Sequence, residues 1–276
     1  MKKNDNLSNV NFEALVSCMN EPDFSILDRS NLNCNCCIIN QCDKEDHIEI
    51  IRRGYHINKY NMNERGLSKS RNAALDKSKA EIVLLCDDDE NFIPDLESTI
   101  VTEYKNNPEA DIIVFDVSVK RGAKEELLKK GWSSPKWLNK FSVLKVASVQ
   151  ISLKKASIQK RGIRFDEAFG AGSEKGGAGE EVIFLEDCLR NKLKIRYVPI
   201  KIATVVNEES SWFNGFTTEY FVRRGESTKR MLGWLSVPYA LYFAVFKYSL
   251  YSPNTNFIKA LICMLKGILR SRETKK

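Results

Sequence analysis

Glu81-Ile82-Val83-Leu84-Leu85-Cys86-Asp87-Asp88-Asp89-Glu90 is the stretch on which the reading of this chain turns. Its first half is an uninterrupted apolar run of strand length, too uniform for a half-solvated face. Its second half is four consecutive acids. In an open α/β sheet, ligands sit beyond the carboxyl ends of the strands, where loops converge. Three adjacent aspartates there repel one another unless a cation compensates them. Oxygen ligands of this kind suit Mg2+ or Mn2+, which take one or two carboxylates together with substrate phosphates. A solvated acidic turn is the plain alternative, and the buried strand before it argues against that.

Outward from this strand the same alternation continues. Phe12 to Cys18 reads as a buried strand ending in the loop Met19-Asn20-Glu21-Pro22. Cys36 to Gln41 reads as a second strand with a polar end, and His47 to Arg52 as a third. Ser68 to Lys79 follows a break at Gly66 and carries Ala73, Ala74 and Leu75, which predicts a helix. Pro94 to Asn106 predicts another, started near its proline, and Asp111 to Phe115 a further strand. Strands separated by helices predict an α/β fold with a mainly parallel central sheet and helices on both faces. Lys120 to Lys140 is basic and polar, with Trp132 and Trp137, and reads as an irregular excursion. The glycine-rich stretch Phe165 to Gly179 precedes a helix from Glu180 to Lys192 and a strand from Lys194 closed by Pro199.

Two further features carry chemistry. Glu180-Glu181 follow a glycine loop that permits close backbone approach. They read equally as acids favoured by a helix N-terminus or as a catalytic base. Arg65 to Asn72 places basic residues beside a helix start, which suits a diphosphate; a solvated basic face is the alternative.

Composition narrows the classes. The chain has 276 residues, with 43 Lys and Arg against 36 Asp and Glu, a net charge of +7. That excess is mild, and the basic residues do not interleave with aromatics in one stripe, so no nucleic-acid partner is expected. With 43% apolar and 29% charged residues, disordered and collagen-like classes are excluded. Eight cysteines, four of them between Cys34 and Cys42, lack the paired spacing of a zinc site, and there are only two histidines, so reduced, buried thiols are expected. MKKNDNLSNV has no apolar core behind its lysines, which predicts no signal peptide and cytoplasmic residence. Met231 to Phe246 is uncharged but shorter than the roughly 20 residues a spanning helix needs. Phe257 to Leu269 has the pattern of an interfacial amphipathic helix. Peripheral contact with the inner face of the cell membrane is therefore expected, the basic tail favouring an anionic leaflet.

Together these segments resemble the family 2 glycosyltransferases of the GT-A, Rossmann-like fold. The strand Ala14 to Cys18 comes first. Arg65-Gly66-Leu67-Ser68-Lys69-Ser70-Arg71-Asn72 looks like the family's element ending in Ala-Arg-Asn. Leu84 to Asp89 is similar to its strand-borne DxD, and Phe165-Asp166-Glu167-Ala168-Phe169-Gly170 to its acceptor-side element. Gly179-Glu180-Glu181 stands where the family has Gly-Glu-Asp, and Lys194 to Pro199 resembles its closing strand. The order agrees over roughly residues 10–210, which the resemblance makes a glycosyltransferase domain. Residues 211–276 are then a C-terminal helical, membrane-associating extension.

The resemblance implies a metal-dependent, inverting transfer from a nucleotide-sugar donor, a UDP-sugar, to a saccharide or lipid-linked acceptor in surface or cell-envelope polysaccharide synthesis. Asp87 and Asp89 would hold Mg2+ or Mn2+ on the diphosphate, with Asp88 and Arg71 on the donor side. Glu181 would be the base, with Glu180 as the nearby alternative. Glu186-Asp187 is a second acid pair, but it lies deeper in the helix and close to the next strand. Where the family often has an Asp pair at the end of its second strand, this chain has Asn40-Gln41, amides able to bond a uracil edge. Asn207 stands where many relatives have His, leaving a third metal ligand open. Two rival readings are a non-catalytic membrane adaptor and a sugar nucleotidyltransferase. The second lacks its glycine-rich phosphate loop after the first strand.

Overall fold

One eleven-stranded sheet organises the chain, and its two faces follow from strict alternation along the strands. The computed structural model describes residues 11–129, 131–173, 179–206 and 215–273. The strands are β1 (Phe12–Met19), β2 (Cys36–Gln41), β3 (Asp46–Arg52), β4 (Tyr55–Met62), β5 (Ile82–Cys86), β6 (Glu90–Phe92), β7 (Ile112–Arg121), β8 (Lys124–Leu127), β9 (Lys136–Trp137), β10 (Ile151–Lys154) and β11 (Ile195–Val205). The helices are α1 (Ile26–Arg29), α2 (Leu67–Lys77), α3 (Leu96–Asn106), α4 (Lys155–Gln159), α5 (Glu180–Arg190), α6 (Thr218–Leu232), α7 (Ser236–Phe246), α8 (Tyr248–Tyr251) and α9 (Phe257–Glu273). The sheet order is β3-β4-β2-β1-β5-β10-β7-β11-β6, with β8 on β7 and β9 on β11.

Successive side chains of a strand point to opposite faces. Phe12, Ala14 and Val16 of β1 enter one core with Ile26 of α1 and Leu96, Ile100 and Tyr104 of α3. Leu15, with Ile39, enters the other with Ala74 and Leu75 of α2 and Phe184 and Leu185 of α5. Helices therefore cover both faces, as expected. The sheet is mixed rather than mainly parallel. The pairs β1–β2, β2–β4, β1–β5 and β7–β11 are parallel, but β10 inserts antiparallel between β5 and β7.

Three local expectations change. β4 has no apolar run, because its buried face is Ile57, Lys59 and Asn61. It pairs antiparallel with β3 and parallel with β2. The basic excursion after Lys120 is partly strand: β7 turns back on β8, and β9 pairs β11. β11 is not closed by Pro199 but runs on to Val205. The register shifts between Tyr197 and Lys201, and such an irregularity lets a residue without an N–H pass along the ladder. All eight cysteines are buried and free. MKKNDNLSNV, residues 174–178 of the glycine-rich stretch, Asn207 and the last three residues of the basic tail lie outside the described residues.

The C-terminal helices form a third core of Phe221, Ala240, Phe243, Tyr251, Ala260 and Met264. The apolar run Met231 to Phe246 is broken at Gly233, whose φ is 59°, so its first residues finish α6 and the rest form α7. Among the described residues no helix is long and apolar enough to cross a membrane. The crossing of α6 and α9 is set by two glycines. A Cβ on Gly225 would stand 2.1 Å from the Met264 carbonyl oxygen, and one on Gly267 1.9 Å from that of Val222.

Replacing a mid-helix glycine by alanine ordinarily stabilises a helix by about 0.5–1 kcal/mol. At this crossing the sign reverses, because backbone cannot yield as a flexible side chain does. Gly225→Ala is expected to destabilise the protein by about 1–3 kcal/mol, the cost typical of overpacking. Urea denaturation measures it, and a variant as stable as the parent contradicts this account of the crossing.

Candidate active site

The carboxyl end of β5 delivers Asp87, Asp88 and Asp89 directly from a fully buried strand. Asp87 and Asp89 are partly buried and Asp88 is exposed. β6 begins at once with Glu90, only 1% exposed, whose Oε2 accepts the Asp87 N–H at 3.2 Å. Its other oxygen, Oε1, is buried without a partner. Glu90 thus shapes the acidic turn from beneath. The Asp-Asp-Asp-Glu run was the available signal for it, but only the fold reverses the fourth acid into the interior.

Arg71, on α2, is the centre of the site. It is 1% exposed and lies over the Phe165 ring, 5.6 Å from its centroid. Its Nη2 donates to Asp87 Oδ1 at 3.0 Å and its Nη1 to Glu180 Oε1 at 2.9 Å. One guanidinium therefore joins the acidic end of β5 to the first turn of α5. Removing one partner of a buried ion pair typically costs 3–5 kcal/mol, so these three side chains act as one unit.

The neighbouring glycine-rich turn is locked onto α2. Ser68 Oγ donates to the Phe169 carbonyl at 2.7 Å, and the Leu67 N–H to that of Ala171 at 2.8 Å. Asn72 Nδ2 donates to the Phe165 carbonyl at 3.0 Å and to Glu167 Oε1 at 2.9 Å. A Cβ on Gly170, whose φ is 101°, would stand 3.0 Å from Ser68 Oγ and 3.3 Å from Glu180 Cγ. The approach of α2, the turn and α5 requires glycine there.

The two acids opening α5 differ. Glu180 is held by Arg71 and 5% exposed. Glu181 is partly exposed and is in no ion pair among the described residues. Burial, and then the charge of Glu180, pushes its carboxyl up to about 8. The other acid pair is otherwise engaged. Asp187 receives Arg230 Nη1 and Nη2 from α6 at 3.0 and 2.6 Å, and Glu186 is 4% exposed.

Asn40 and Gln41 face the scaffold. Asn40 Oδ1 accepts the Glu21 N–H at 2.8 Å, and its Nδ2 donates to the Glu21 carbonyl at 2.9 Å and to Asn61 Oδ1 at 2.7 Å. Gln41 Oε1 accepts the Gly66 N–H at 2.7 Å. The buried Lys59 donates to the carbonyls of Glu21 and Asp23 at 2.7 and 3.0 Å. These contacts pin the loop after β1 and the entry to α2. Lys59 and Asn61 were invisible to hydropathy because a polar buried strand face has no apolar signature.

Among the described residues no three His, Cys, Asp or Glu side chains converge as a preformed metal site. Asp87 and Asp89 offer two carboxylates, fewer than a full set, of the hard oxygen type that a divalent ion would take together with waters and substrate phosphates. Burial, and then the charges of Asp87 and Asp88, pushes the Asp89 carboxyl up to about 6. The donor chemistry and the mutual repulsion both fit a cation.

The sequence matches the family model for glycosyl transferase family 2 over residues 24–166, just over half of the chain. No protein of curated function matches it by sequence. The structure is similar to residues 1–349 of S. aureus TarS in complex with UDP-GlcNAc, with a TM-score of 0.62 and 12% identity, covering 88% of this chain and 74% of that one. The complex of the same protein with UDP gives a TM-score of 0.63 at 12% identity, with 94% and 81% coverage. These likenesses establish a shared fold. The matched segment contains Arg71 and Asp87 to Asp89 and ends at Asp166, before the acids of α5.

Glu181 binds its proton more tightly folded than unfolded. Its stabilising contribution is complete below the ordinary value of 4.5 and is lost as pH rises through about 8. The melting temperature of the parent, measured against Glu181→Gln, is therefore expected to fall between pH 5 and 8 by roughly 2–4 °C, allowing about 1 kcal/mol after solvent screening. Parallel melting curves for the two proteins across that range would refute the assignment.

Proposed function

This chain belongs to glycosyl transferase family 2, and on that premise we propose that it moves a sugar, with inversion, from a UDP-sugar to a saccharide or lipid-linked acceptor in surface or cell-envelope polysaccharide synthesis. The observation that carries this reading is the single guanidinium shared by Asp87 and Glu180. It ties a metal-competent acid cluster to the helix that carries Glu181. Family membership favours sugar transfer over the nucleotidyltransferase and adaptor readings. The ligands of the similar structures, UDP-GlcNAc and UDP, support a uridine diphosphate donor.

In this mechanism the donor diphosphate lies across the end of β5, with Asp87 and Asp89 as the ligands for Mg2+ or Mn2+. Bound there, the ion neutralises charge developing on the leaving nucleoside diphosphate. Arg71 acts from beneath by fixing Asp87 and Glu180, and Asp88 faces the donor side. Asn40 and Gln41 serve the donor by holding the Glu21 loop and Gly66 in place. Glu181 takes the proton from the acceptor hydroxyl as it attacks the anomeric carbon. A carboxylate whose proton affinity is raised toward neutrality is suited to that task. In the proposed division, residues 10–210 perform this chemistry and residues 211–276 serve attachment.

The attachment reading rests on exposed apolar side chains of the C-terminal helices. Trp234 is 79% exposed, Phe246 71%, Leu250 57% and Ile258 56%, with Lys247, Lys259, Lys266 and Arg270 nearby in sequence. That combination suits peripheral contact with an anionic leaflet at the inner face of the cell membrane.

Asp89→Ala is expected to weaken Mn2+-dependent UDP binding at least tenfold by calorimetry. Glu181→Gln should bind UDP within about twofold of the parent yet lose 10²–10⁴-fold in turnover, the range of a lost general base. Two variants that bind and turn over like the parent would end this reading. The attachment is checked separately by sedimentation with anionic vesicles. The full chain should pellet and Trp234→Asp/Phe246→Asp should remain in the supernatant; equal recovery of both in the supernatant counts against it.

A further inference from the structure

Between residues 127 and 165 the chain carries ten Lys or Arg and no Asp or Glu. The whole chain is only +7, so the remainder is net acidic. The fold divides this segment. Lys154 pairs in register with Ile82, at the start of β5 and away from the acidic turn. The stretch from Trp132 to Lys145 instead packs against β11 and α5. Trp137 pairs with Arg196 on β11, Trp132 meets Tyr197 edge-on at 5.0 Å, and Val143 is buried with Phe184 and Leu185 of α5.

Along this strip the cations stand on aromatic rings. Lys136 Nζ and Lys145 Nζ lie 5.0 and 5.9 Å from the Trp132 ring, Lys140 Nζ 4.9 Å from that of Phe141, and the Arg196 guanidinium 4.9 Å from that of Trp137. Trp137 is 44% and Phe141 59% exposed. Among the described residues Lys129, Lys136, Lys140 and Lys145 make no ion pair, whereas Lys194 and Lys201, flanking and on β11, pair with Glu109 and Glu125. The strip approaches the site along α5, where Val143 packs with Phe184, one turn from Glu181, and the charge of Lys129 adds a small lowering effect on the Glu181 carboxyl. Further along α5, Lys140 acts on Glu186. Contrary to the compositional expectation, cations and aromatics do interleave here in the linear sequence, with Lys136 beside Trp137 and Lys140 beside Phe141, and the pairing of β9 with β11 adds the Arg196 guanidinium to the Trp137 ring.

We propose that this strip is the acceptor track and that the acceptor is an acidic saccharide, carrying phosphate or carboxylate groups, that lies along residues 132–145 with its reacting hydroxyl at Glu181. This rests on the transferase reading of the site and adds the acceptor's chemical class. Aromatic faces supply sugar stacking, and unpaired ammonium groups supply point charges for repeated anions.

The test measures binding of fluorescently labelled oligogalacturonate, glycerol-phosphate oligomer, neutral dextran and an oligothymidylate to the full chain. At least one acidic glycan is expected to bind ten times more tightly than dextran. Preference for oligogalacturonate identifies carboxylate as the recognised group and preference for the glycerol-phosphate oligomer identifies phosphate; either supports the proposal. Lys136→Glu/Lys140→Glu/Lys145→Glu should lose at least tenfold. A control reversing the exposed Lys105, Lys160 and Lys192 to Glu should stay within twofold. Equal binding of dextran, equal loss in the control, or tighter binding of the oligothymidylate than of both acidic glycans overturns the proposal. UDP binding with Mn2+ is measured in parallel. It should be unchanged in both triple variants, and its absence in the parent would count against the donor reading rather than against the track.

Discussion

A buried positive charge needs partners, and here Arg71 finds two on different elements. Its Nη2 holds Asp87 at the end of β5 and its Nη1 holds Glu180 at the start of α5. Those acids belong to separate elements, so a single planar group sets the distance between the end of β5 and the start of α5. The fork geometry of a guanidinium suits this, and a lysine could not reach both carboxylates from one rigid plane. The surrounding glycines follow from the same constraint. Gly170 has no room for a Cβ between Ser68 and Glu180, and Gly179, with φ of 108°, turns the chain into α5.

A second arginine repeats the device close by, on the residue after Phe165 and further along α5. Arg230, near the end of α6, bonds Asp166 through Nε at 2.9 Å and Asp187 through both terminal nitrogens. Arg190 Nη2 returns to the Met231 carbonyl at 2.8 Å. The C-terminal helices, with their own apolar core, are therefore fastened to the turn at Asp166 and to α5. An acid pair that in sequence competes for the role of base is, in the fold, the anchor of this contact.

Much of the frame was legible beforehand. β5 is a continuous apolar run, β1 and β2 are largely apolar, and all three are buried on both faces, so hydropathy reports them. α2, α3 and α5 begin within two residues of their expected starts. β4 was hidden because Lys59 and Asn61 are buried for their hydrogen bonds rather than for apolarity. The length of β11 was underestimated because Pro199 normally ends a ladder and here passes along an irregular one. The sheet's parallel character was overestimated because β10, four residues long, looks the same in sequence whichever way it runs.

The order of motifs along the chain, read by itself, determined the transferase family, the acid cluster at a strand end and the acids opening a helix, since each is a local pattern of residue types at short spacing. Only the tertiary structure decided which partners those groups have. Arg71 and Glu180 are 109 positions apart, and nothing in a linear pattern specifies that one guanidinium will face two carboxylates from separate elements. The same holds for Asn40 and Gln41 turned into the scaffold, for Glu90 buried under the acidic turn, and for the Arg196 guanidinium over the Trp137 ring. Contacts between residues distant in sequence are set by packing of whole elements, and an electrostatic environment exists only once that packing has excluded water.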